Sequence, residues 1–294
     1  MIVITTPTGD IGHRVLQHVL QGNEPVRVIA RDPSRIPQEI RQRIEVIQGS
    51  HGDAATIEKA LPGADALFWL IPPDPFMTLN SVDEAYVDFT RPAAEAIRKC
   101  GVKRVVTVSA LGRGWKKDAG LATANIKADD LLAGTDVALR VLMMPSFMDN
   151  LLRQAPTIKE KGLFSLPIRA NLKAPLVATS DIAAVAATFL MDTTWTGQAD
   201  VPVLGPEDIS PNEMAEILSD VLGKPVRFEQ TPIEAYKSRM VSRGMSDAFA
   251  QGLADMMTAK DEGMDNSASR AVAAYTPTTF RQWSEAVLKP IIVG

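Results

Sequence analysis

The start of the chain places an apolar strand, a turn of small residues and an amphipathic helix in immediate succession. Residues 1–4 are apolar, and the apolar residues after the turn recur on one face of a helix, namely Ile11, Val15, Leu16, Val19 and Leu20. Free N–H groups and the dipole at such a helix start favour an anion, and small residues allow the backbone to approach a pyrophosphate closely. The sequence therefore predicts a nucleotide-binding turn, formed by Thr6, Thr8, Gly9, Asp10, Ile11 and Gly12, with an ordinary strand-to-helix turn as the alternative.

A second strand, residues 26–30, leads to a basic pair that bears on the choice of cofactor. The three-glycine fingerprint is incomplete because Thr6 stands in its first position. Arg31 follows Gly12 by about 20 residues, the separation at which a Rossmann fold places the residue that contacts the adenine ribose. An acid there would bind the 2′-hydroxyl of NAD, whereas Arg31 and Arg35 suit a 2′-phosphate. We therefore expect NADP(H) in preference to NAD(H), with a solvated basic pair as the alternative.

Strand-like and helix-like segments alternate from the start of the chain to about residue 142. Strands are expected at residues 1–5, 26–30, 44–47, 66–71, 104–109 and 137–142. The fourth of these ends in Pro72-Pro73, which cannot continue a strand. This alternation predicts an α/β fold with a doubly wound parallel sheet of the Rossmann type.

The second half of the chain is less regular. Prolines punctuate a loop-rich stretch, a core helix is expected over residues 181–191, and a strand near 201–204 rejoins the sheet. A capping box at Ser210–Glu213 opens a helix that runs to Leu222. We predict a Rossmann domain of residues 1–150, with residues 174–205 returning to it. Residues 206–294, together with a loop of residues 151–173, form a smaller, mostly helical substrate lobe.

Composition excludes several classes of function. The net charge of −4 offers no footprint for nucleic acid, and neither a basic run nor an apolar run of membrane-spanning length indicates a membrane partner. The single cysteine, Cys100, fits a reducing cytosol, and the early first strand leaves no room for a signal peptide, so a cytoplasmic location is expected. The three histidines lack metal-ligand spacing, so no metal site is expected.

Several motifs, in order along nearly the whole chain, resemble the NmrA-like family of atypical short-chain dehydrogenase/reductases. Residues 5–12 resemble its Thr-Gly-Ala-Thr-Gly-x-x-Gly opening, and further counterparts occur at residues 28–34, 108–112, 127, 139–150 and 277–283. The resemblance implies an NAD(P)-binding Rossmann domain with a small C-terminal substrate lobe. Family members include NADPH-dependent reductases of quinones, azo dyes and triphenylmethane dyes, as well as cofactor-binding regulators.

The resemblance also assigns further residues to the cofactor site. It implies that Ile71 and Pro72 pack near the adenosine half or its ribose, and that Pro145 and Phe147 lie near the nicotinamide. Lys127 would hydrogen-bond the nicotinamide ribose, with a solvated surface lysine as the alternative. Ser109, at the end of a strand, is expected to donate a hydrogen bond to substrate or cofactor, with a strand-end hydroxyl of no functional role as the alternative.

The Tyr-x-x-x-Lys pair of the wider superfamily is missing from this chain. Thr123 stands four residues before Lys127, and none of the three tyrosines has a lysine four residues later. A threonine hydroxyl is far too weak an acid to protonate a carbonyl near neutral pH. We therefore expect hydride transfer to an electron-poor, largely apolar aromatic small molecule, such as a quinone, for which alignment suffices.

The competing hypothesis is a non-catalytic sensor that binds NAD(P)(H) and acts through a protein partner. Under the leading hypothesis the partner is a small-molecule substrate, and a homodimer is left open.

Overall fold

The first half of the chain alternates strands with helices, as predicted. The computed structural model describes residues 1–72, 74 and 80–294. Its elements up to residue 144 are β1 (Ile2–Thr5), α1 (Asp10–Val19), β2 (Val26–Ala30), α2 (Gln38–Arg41), β3 (Glu45–Gln48), α3 (Ala54–Ala60), β4 (Ala66–Trp69), α4 (Phe89–Cys100), β5 (Arg104–Ala110), α5 (Leu121–Ala133) and β6 (Ala138–Met144). A 3₁₀ turn at Pro33–Arg35 follows β2, and a π-helical turn at Glu84–Asp88 leads into α4.

The second half contains short strands and most of the remaining helices. Its elements are β7 (Ser146–Phe147), α6 (Ala155–Lys161), β8 (Leu163–Leu166), β9 (Ala174–Val177), α7 (Thr179–Met191), β10 (Gln198–Pro202), β11 (Asp208–Ile209), α8 (Pro211–Leu222), β12 (Arg227–Gln230), α9 (Ile233–Ser242), α10 (Asp247–Asp261), α11 (Phe280–Trp283) and α12 (Lys289–Val293). Helical turns of 3₁₀ type occupy Met148–Gln154, Met264–Ser267 and Arg270–Val272, and a π-helical turn occupies Ser284–Leu288.

Seven parallel strands form the central sheet, in the order β10-β6-β5-β4-β1-β2-β3. The predicted doubly wound sheet is therefore confirmed. The strand order reverses at β1, which pairs with β4 on one side and with β2 on the other. Ligands of such sheets bind outside the carboxyl ends of the strands at this reversal. The crevice next to the turn after β1 is therefore the expected binding position.

Helices cover both faces of the sheet, which explains why the central strands β1 and β4 are buried throughout. On one face, α1 and α7 pack over a core that contains Ile4, Val15, Leu16, Ile182 and Ala186. On the other face, α3, α4 and α5 pack over a core that contains Val3, Ile57, Ala93, Ile97 and Leu132.

The return of the chain to the sheet occurs at β10. This strand pairs in parallel with β6, with Val201 opposite Leu142, so the predicted strand near residues 201–204 begins a few residues earlier. Further along, Ala274 donates a backbone hydrogen bond of 2.9 Å to Pro202, which brings the segment before α11 to the end of β10. The C-terminal chain therefore covers part of the outer edge of the sheet.

Residues 151–173 are more regular than the loop that the sequence indicates. They include α6 and β8, and β8 pairs in parallel with β12 to form a two-stranded sheet. Because β12 follows about sixty residues later, no local pattern identifies this pairing. The lobe has its own core, built from Phe164, Leu218, Phe280, Trp283 and Leu288. The capping box of Ser210 and Glu213 is present at the start of α8.

Helix α10 joins this lobe to the Rossmann domain. A Cβ atom on Gly120, at the start of α5, would lie 2.0 Å from the carbonyl oxygen of Gly252 in α10. Only glycine permits so close a backbone approach. In the described part of the chain, no helix combines the length and apolar character needed to cross a bilayer.

Candidate functional site

The turn after β1 is held in an unusual backbone conformation by a residue that is not glycine. Thr6 has a φ of +52°, in the left-handed region, and its carbonyl oxygen accepts a 3.0 Å hydrogen bond from the Gly9 amide. The Thr6 hydroxyl oxygen is buried and has no hydrogen-bond partner among the described residues. A buried polar atom without a partner is unfavourable by about 1–3 kcal/mol, so this hydroxyl is available to a ligand of the turn.

Gly12 and Gly9 meet different steric requirements. A Cβ atom on Gly12 would lie 2.1 Å from the Thr6 carbonyl oxygen, whereas one on Gly9 would lie 3.5 Å from the same atom. Gly12 is therefore required for the close packing of α1 against the turn. Both glycines were expected to allow the approach of a pyrophosphate, but for Gly12 the contact with the Thr6 carbonyl is sufficient reason. Gly9 has room for a side chain within the protein.

The first turn of α1 is open to an anion. The first N–H groups of any α-helix have no partner within the helix. Gly9, the N-cap of α1, has no side chain that could accept a hydrogen bond from them. Asp10 is exposed and Thr8 is half-buried, while Ile11 and Gly12 are buried against the core. The uncapped helix start and the unpartnered Thr6 hydroxyl fit the pyrophosphate of a dinucleotide.

Two arginines follow β2 at the same edge of the sheet. Arg31 is the first residue after the strand and Arg35 ends the 3₁₀ turn. Both side chains are exposed, and neither forms a hydrogen bond or ion pair with any residue that the structure describes. Their charges are therefore available to a phosphate group.

A buried histidine, His51, lies close to Arg31 and was not predicted as a site residue. The ring of His51 packs edge-on against Trp69 and Phe89, at centroid distances of 5.0 and 4.9 Å, and its Nε2 lies 2.9 Å from the Leu70 carbonyl oxygen. Burial, with a smaller effect of the Arg31 charge, lowers the pKa of His51 to about 4. The ring is therefore neutral at physiological pH. No sequence pattern indicates that a lone histidine between β3 and α3 is buried.

Ser109 is directed into the protein, toward α5. The residue is only 3% exposed, and its hydroxyl donates a hydrogen bond to the buried carboxylate of Asp129. The Thr107 hydroxyl lies 3.4 Å from the other oxygen of that carboxylate. Burial raises the pKa of Asp129 to about 7, against the opposing effect of the Ser109 hydrogen bond. Asp129 was missed because an aspartate next to Asp130 on a helix suggests a solvated position.

Lys127 and Thr123 both have partners within the protein. The Lys127 ammonium lies 2.7 Å from a carboxylate oxygen of Asp83, and its side chain is 51% exposed. The Thr123 hydroxyl accepts a 2.8 Å hydrogen bond from the amide of Ala119 at the start of α5. Thr123 therefore stabilises the helix start, while Lys127 joins α5 to the segment before α4.

The remaining predicted site residues lie at the carboxyl ends of β4 and β6. Ile71 and Pro72 follow β4 and are half-buried, and Pro73 lies outside the described residues. Pro145 is buried between β6 and β7, and Phe147 in β7 is half-buried. All of these residues are at the sheet edge that also carries the Thr6–Gly12 turn.

An apolar cluster lies between the Rossmann domain and the lobe, and we call it the interlobe cluster. Its buried members are Tyr86, Leu121, Ala124, Ala128 and Phe249. Its partly buried members are Ile71, Val82, Ala85, Met245, Leu253 and Met256. Met245 and Met256 add flexible apolar side chains to this cluster. No group of metal-ligating side chains that could hold an ion occurs in the ranges described.

Comparisons with known proteins agree with this geometry. An NAD(P)H-binding family model matches residues 7–193, and the model of the NmrA-like family matches residues 135–285. The chain is 30% identical to (4-alkanoyl-5-oxo-2,5-dihydrofuran-3-yl)methyl phosphate reductase of Streptomyces griseus, covering 97% of this chain and 96% of that protein. It is 27% identical to NAD(P)H azoreductase of Xenophilus azovorans, covering 87% of this chain and 86% of that protein.

A solved structure shares the fold over its whole length. The NADPH-dependent quinone oxidoreductase of Escherichia coli, in complex with NADPH, has a TM-score of 0.79 at 24% identity and covers 96% of this chain and 98% of that one. The sequence motifs, the strand order of the sheet and the two family models agree with one another. This chain belongs to the NmrA-like family of NAD(P)H-binding Rossmann proteins.

Proposed function

We propose that this protein is an NADPH-dependent reductase that transfers a hydride to an electron-poor, largely apolar aromatic small molecule. Two relatives matched over most of their length are named as reductases, one of them an NAD(P)H azoreductase, and these names favour a reductase over the sensor alternative. The preference for NADPH and the class of acceptor are the specific parts of the proposal. A cytoplasmic location and a homodimer stay predictions from the sequence.

The observation that carries the cofactor assignment is the pair of unpartnered arginines beside an open anion-binding turn. The Thr6 hydroxyl and the first turn of α1 would hold the pyrophosphate, and Arg31 and Arg35 would hold the 2′-phosphate through charge-assisted hydrogen bonds. The bound cofactor supplies the hydride. The protein residues supply position and exclude water.

The interlobe cluster supports an apolar acceptor. Its partly buried side chains include Ile71 after β4 and Met245, Leu253 and Met256 near or in α10, so the cluster spans the boundary between the sheet edge and the lobe. Such a surface suits a flat aromatic molecule. Thr123 accepts a hydrogen bond from Ala119 at the helix start, and a threonine hydroxyl is too weak an acid to protonate a substrate near neutral pH, which favours acceptors whose reduced anion is stable.

Replacement of Arg31 by alanine tests the cofactor assignment. We expect the variant to lose about 1.5–3 kcal/mol of NADPH binding, the scale of a hydrogen bond to a charged group, while NADH binding changes little. Isothermal titration with both cofactors measures this difference. Arg41→Ala, an exposed arginine on α2, is the matched control and should leave both affinities unchanged.

An acceptor panel tests the reductase assignment. NADPH oxidation should accelerate with quinones, azo dyes and triphenylmethane dyes and should not accelerate with simple ketones. Tight NADPH binding with no oxidation by any acceptor would refute the reductase assignment.

For the cofactor assignment, equal losses of NADPH affinity and NADH affinity in Arg31→Ala would refute the 2′-phosphate contact.

A further inference from the structure

The hydroxyl groups near α5 differ in one respect, namely whether they already have a hydrogen-bond partner. Thr107 and Ser109 of β5 lie against Asp129, and Thr123 of α5 accepts from Ala119. Tyr86 packs against the same helix, and its hydroxyl has no hydrogen-bond partner in the described part of the chain. Among the described hydroxyls of β5, α5 and the π-helical turn before α4, the Tyr86 hydroxyl is the one that forms no hydrogen bond.

Tyr86 approaches α5 from a neighbouring segment. It lies in the π-helical turn Glu84–Asp88, three residues after Asp83, whose carboxylate contacts Lys127 at 2.7 Å. Tyr86 belongs to the same buried apolar cluster as Leu121 of α5, so its side chain packs against that helix. Its neighbours in the interlobe cluster include Ala124 and Ala128, which are adjacent in sequence to Thr123 and Lys127.

We propose that Tyr86 supplies, from a different helix, the substrate-directed hydroxyl that the missing Tyr-x-x-x-Lys motif would otherwise provide. This inference rests on the proposed reductase function and adds a catalytic residue to it. The Tyr86 hydroxyl donates a hydrogen bond to the carbonyl oxygen of an acceptor that binds beside the interlobe cluster.

The environment of Tyr86 favours hydrogen-bond donation over proton release. The side chain is 8% exposed, and burial raises the pKa of the phenol above its ordinary value. A phenol that stays protonated can stabilise a developing oxyanion without losing its proton. A quinone that accepts a hydride gains two electrons and becomes a hydroquinone monoanion. Tyr86 stabilises that anion, and a proton from water completes the hydroquinone.

Tyr86→Phe is the decisive variant because it removes only the hydroxyl. We expect kcat to fall by about 100-fold for a weakly activated quinone, the loss typical of one oxyanion donor. The loss should shrink for quinones of higher reduction potential, since their anions need less stabilisation. NADPH affinity and melting temperature should match the unmodified protein.

The other two tyrosines provide matched controls. Tyr236→Phe changes a half-buried phenol on α9, and Tyr275→Phe changes one that is 85% exposed; both should retain full turnover. Unchanged turnover in Tyr86→Phe would overturn the Tyr86 assignment and leave the reductase intact. A uniform loss across all quinones, or one accompanied by weaker NADPH binding, would also overturn it, because it would indicate a structural role. Failure of the unmodified protein to oxidise NADPH would instead remove the proposed function and the Tyr86 role with it.

Discussion

Thr6 holds a left-handed backbone conformation at the point where the chain turns from β1 to α1. For residues other than glycine this conformation is unfavourable by about 1–2 kcal/mol. The Thr6 hydroxyl is also buried without a partner among the described residues. These two unfavourable features occur at one residue, and we propose that they serve a ligand of the turn rather than the fold.

The buried environment of Asp129 makes the stability of the protein depend on pH. Its carboxyl group has a pKa of about 7 in the folded protein, whereas an unfolded aspartate titrates near ~3.9. Between these pH values the folded chain keeps a proton that the unfolded chain has lost. The free energy of unfolding must therefore fall as the pH rises through this window.

Asp129→Asn should remove this dependence on pH. We expect its free energy of unfolding, relative to the unmodified protein, to rise by on the order of a few kcal/mol between pH 4 and pH 8. Urea denaturation across that range measures the effect. Asp130→Asn, at an exposed neighbouring aspartate, is the control. Parallel pH profiles for Asp129→Asn and the unmodified protein would contradict the raised pKa.

At the scale of single elements, the contact between α1 and the turn before it determines which glycines are essential. Gly12 is a helical residue pressed against the Thr6 carbonyl, and Gly9 caps the helix with a φ of −89° that any residue can adopt. The fold therefore requires glycine at position 12 but not at position 9.

Replacement of each glycine by alanine should give different results. Gly12→Ala should lower the free energy of unfolding by about 1–3 kcal/mol, because the added Cβ forces the helix away from the turn. Gly9→Ala should leave stability nearly unchanged but weaken NADPH binding about tenfold or more, which corresponds to ~1.4 kcal/mol. Denaturation and titration calorimetry distinguish the two. If Gly9→Ala bound NADPH normally, the close approach of a pyrophosphate to this residue would be disproved.

Local sequence patterns could predict the elements whose defining residues are close together in the sequence. The β1–turn–α1 unit and the capping box of Ser210 and Glu213 are confirmed within a few residues. The pairing of β8 with β12 was missed because its partners are distant in the chain. The same reason hides Tyr86, since its relation to α5 depends on how a separate helix packs.

At the scale of the whole molecule, the lobe is fixed to the Rossmann domain by a close contact between backbones. Gly120 has a φ of +53°, and a Cβ atom there would meet the Gly252 carbonyl. The contact lies beside the interlobe cluster, because Leu121 and Phe249 flank it along α5 and α10. The position of the lobe and the shape of the proposed acceptor site are therefore coupled.

Gly120→Ala should disturb both the stability and the acceptor site. Gly101→Ala is a matched control, since Gly101 has a φ of +69° but open space around it. We expect the control to lower the free energy of unfolding by about 1–2 kcal/mol from backbone conformation alone. Gly120→Ala should lose a further ~1–3 kcal/mol and most of its quinone turnover. Equal stability losses and equal turnover in the two variants would show that the contact does not hold the lobe.

The late position of β10 in the chain has a consequence for biosynthesis. A ribosome releases β6 well before β10, so the nascent sheet leaves the free edge of β6 uncovered during that interval. Exposed strand edges are sites of aberrant pairing between chains. The segment that contacts the end of β10 through Ala274 emerges later still. Ribosomes stalled between these points would carry the form of this protein most prone to aggregate and most dependent on chaperones.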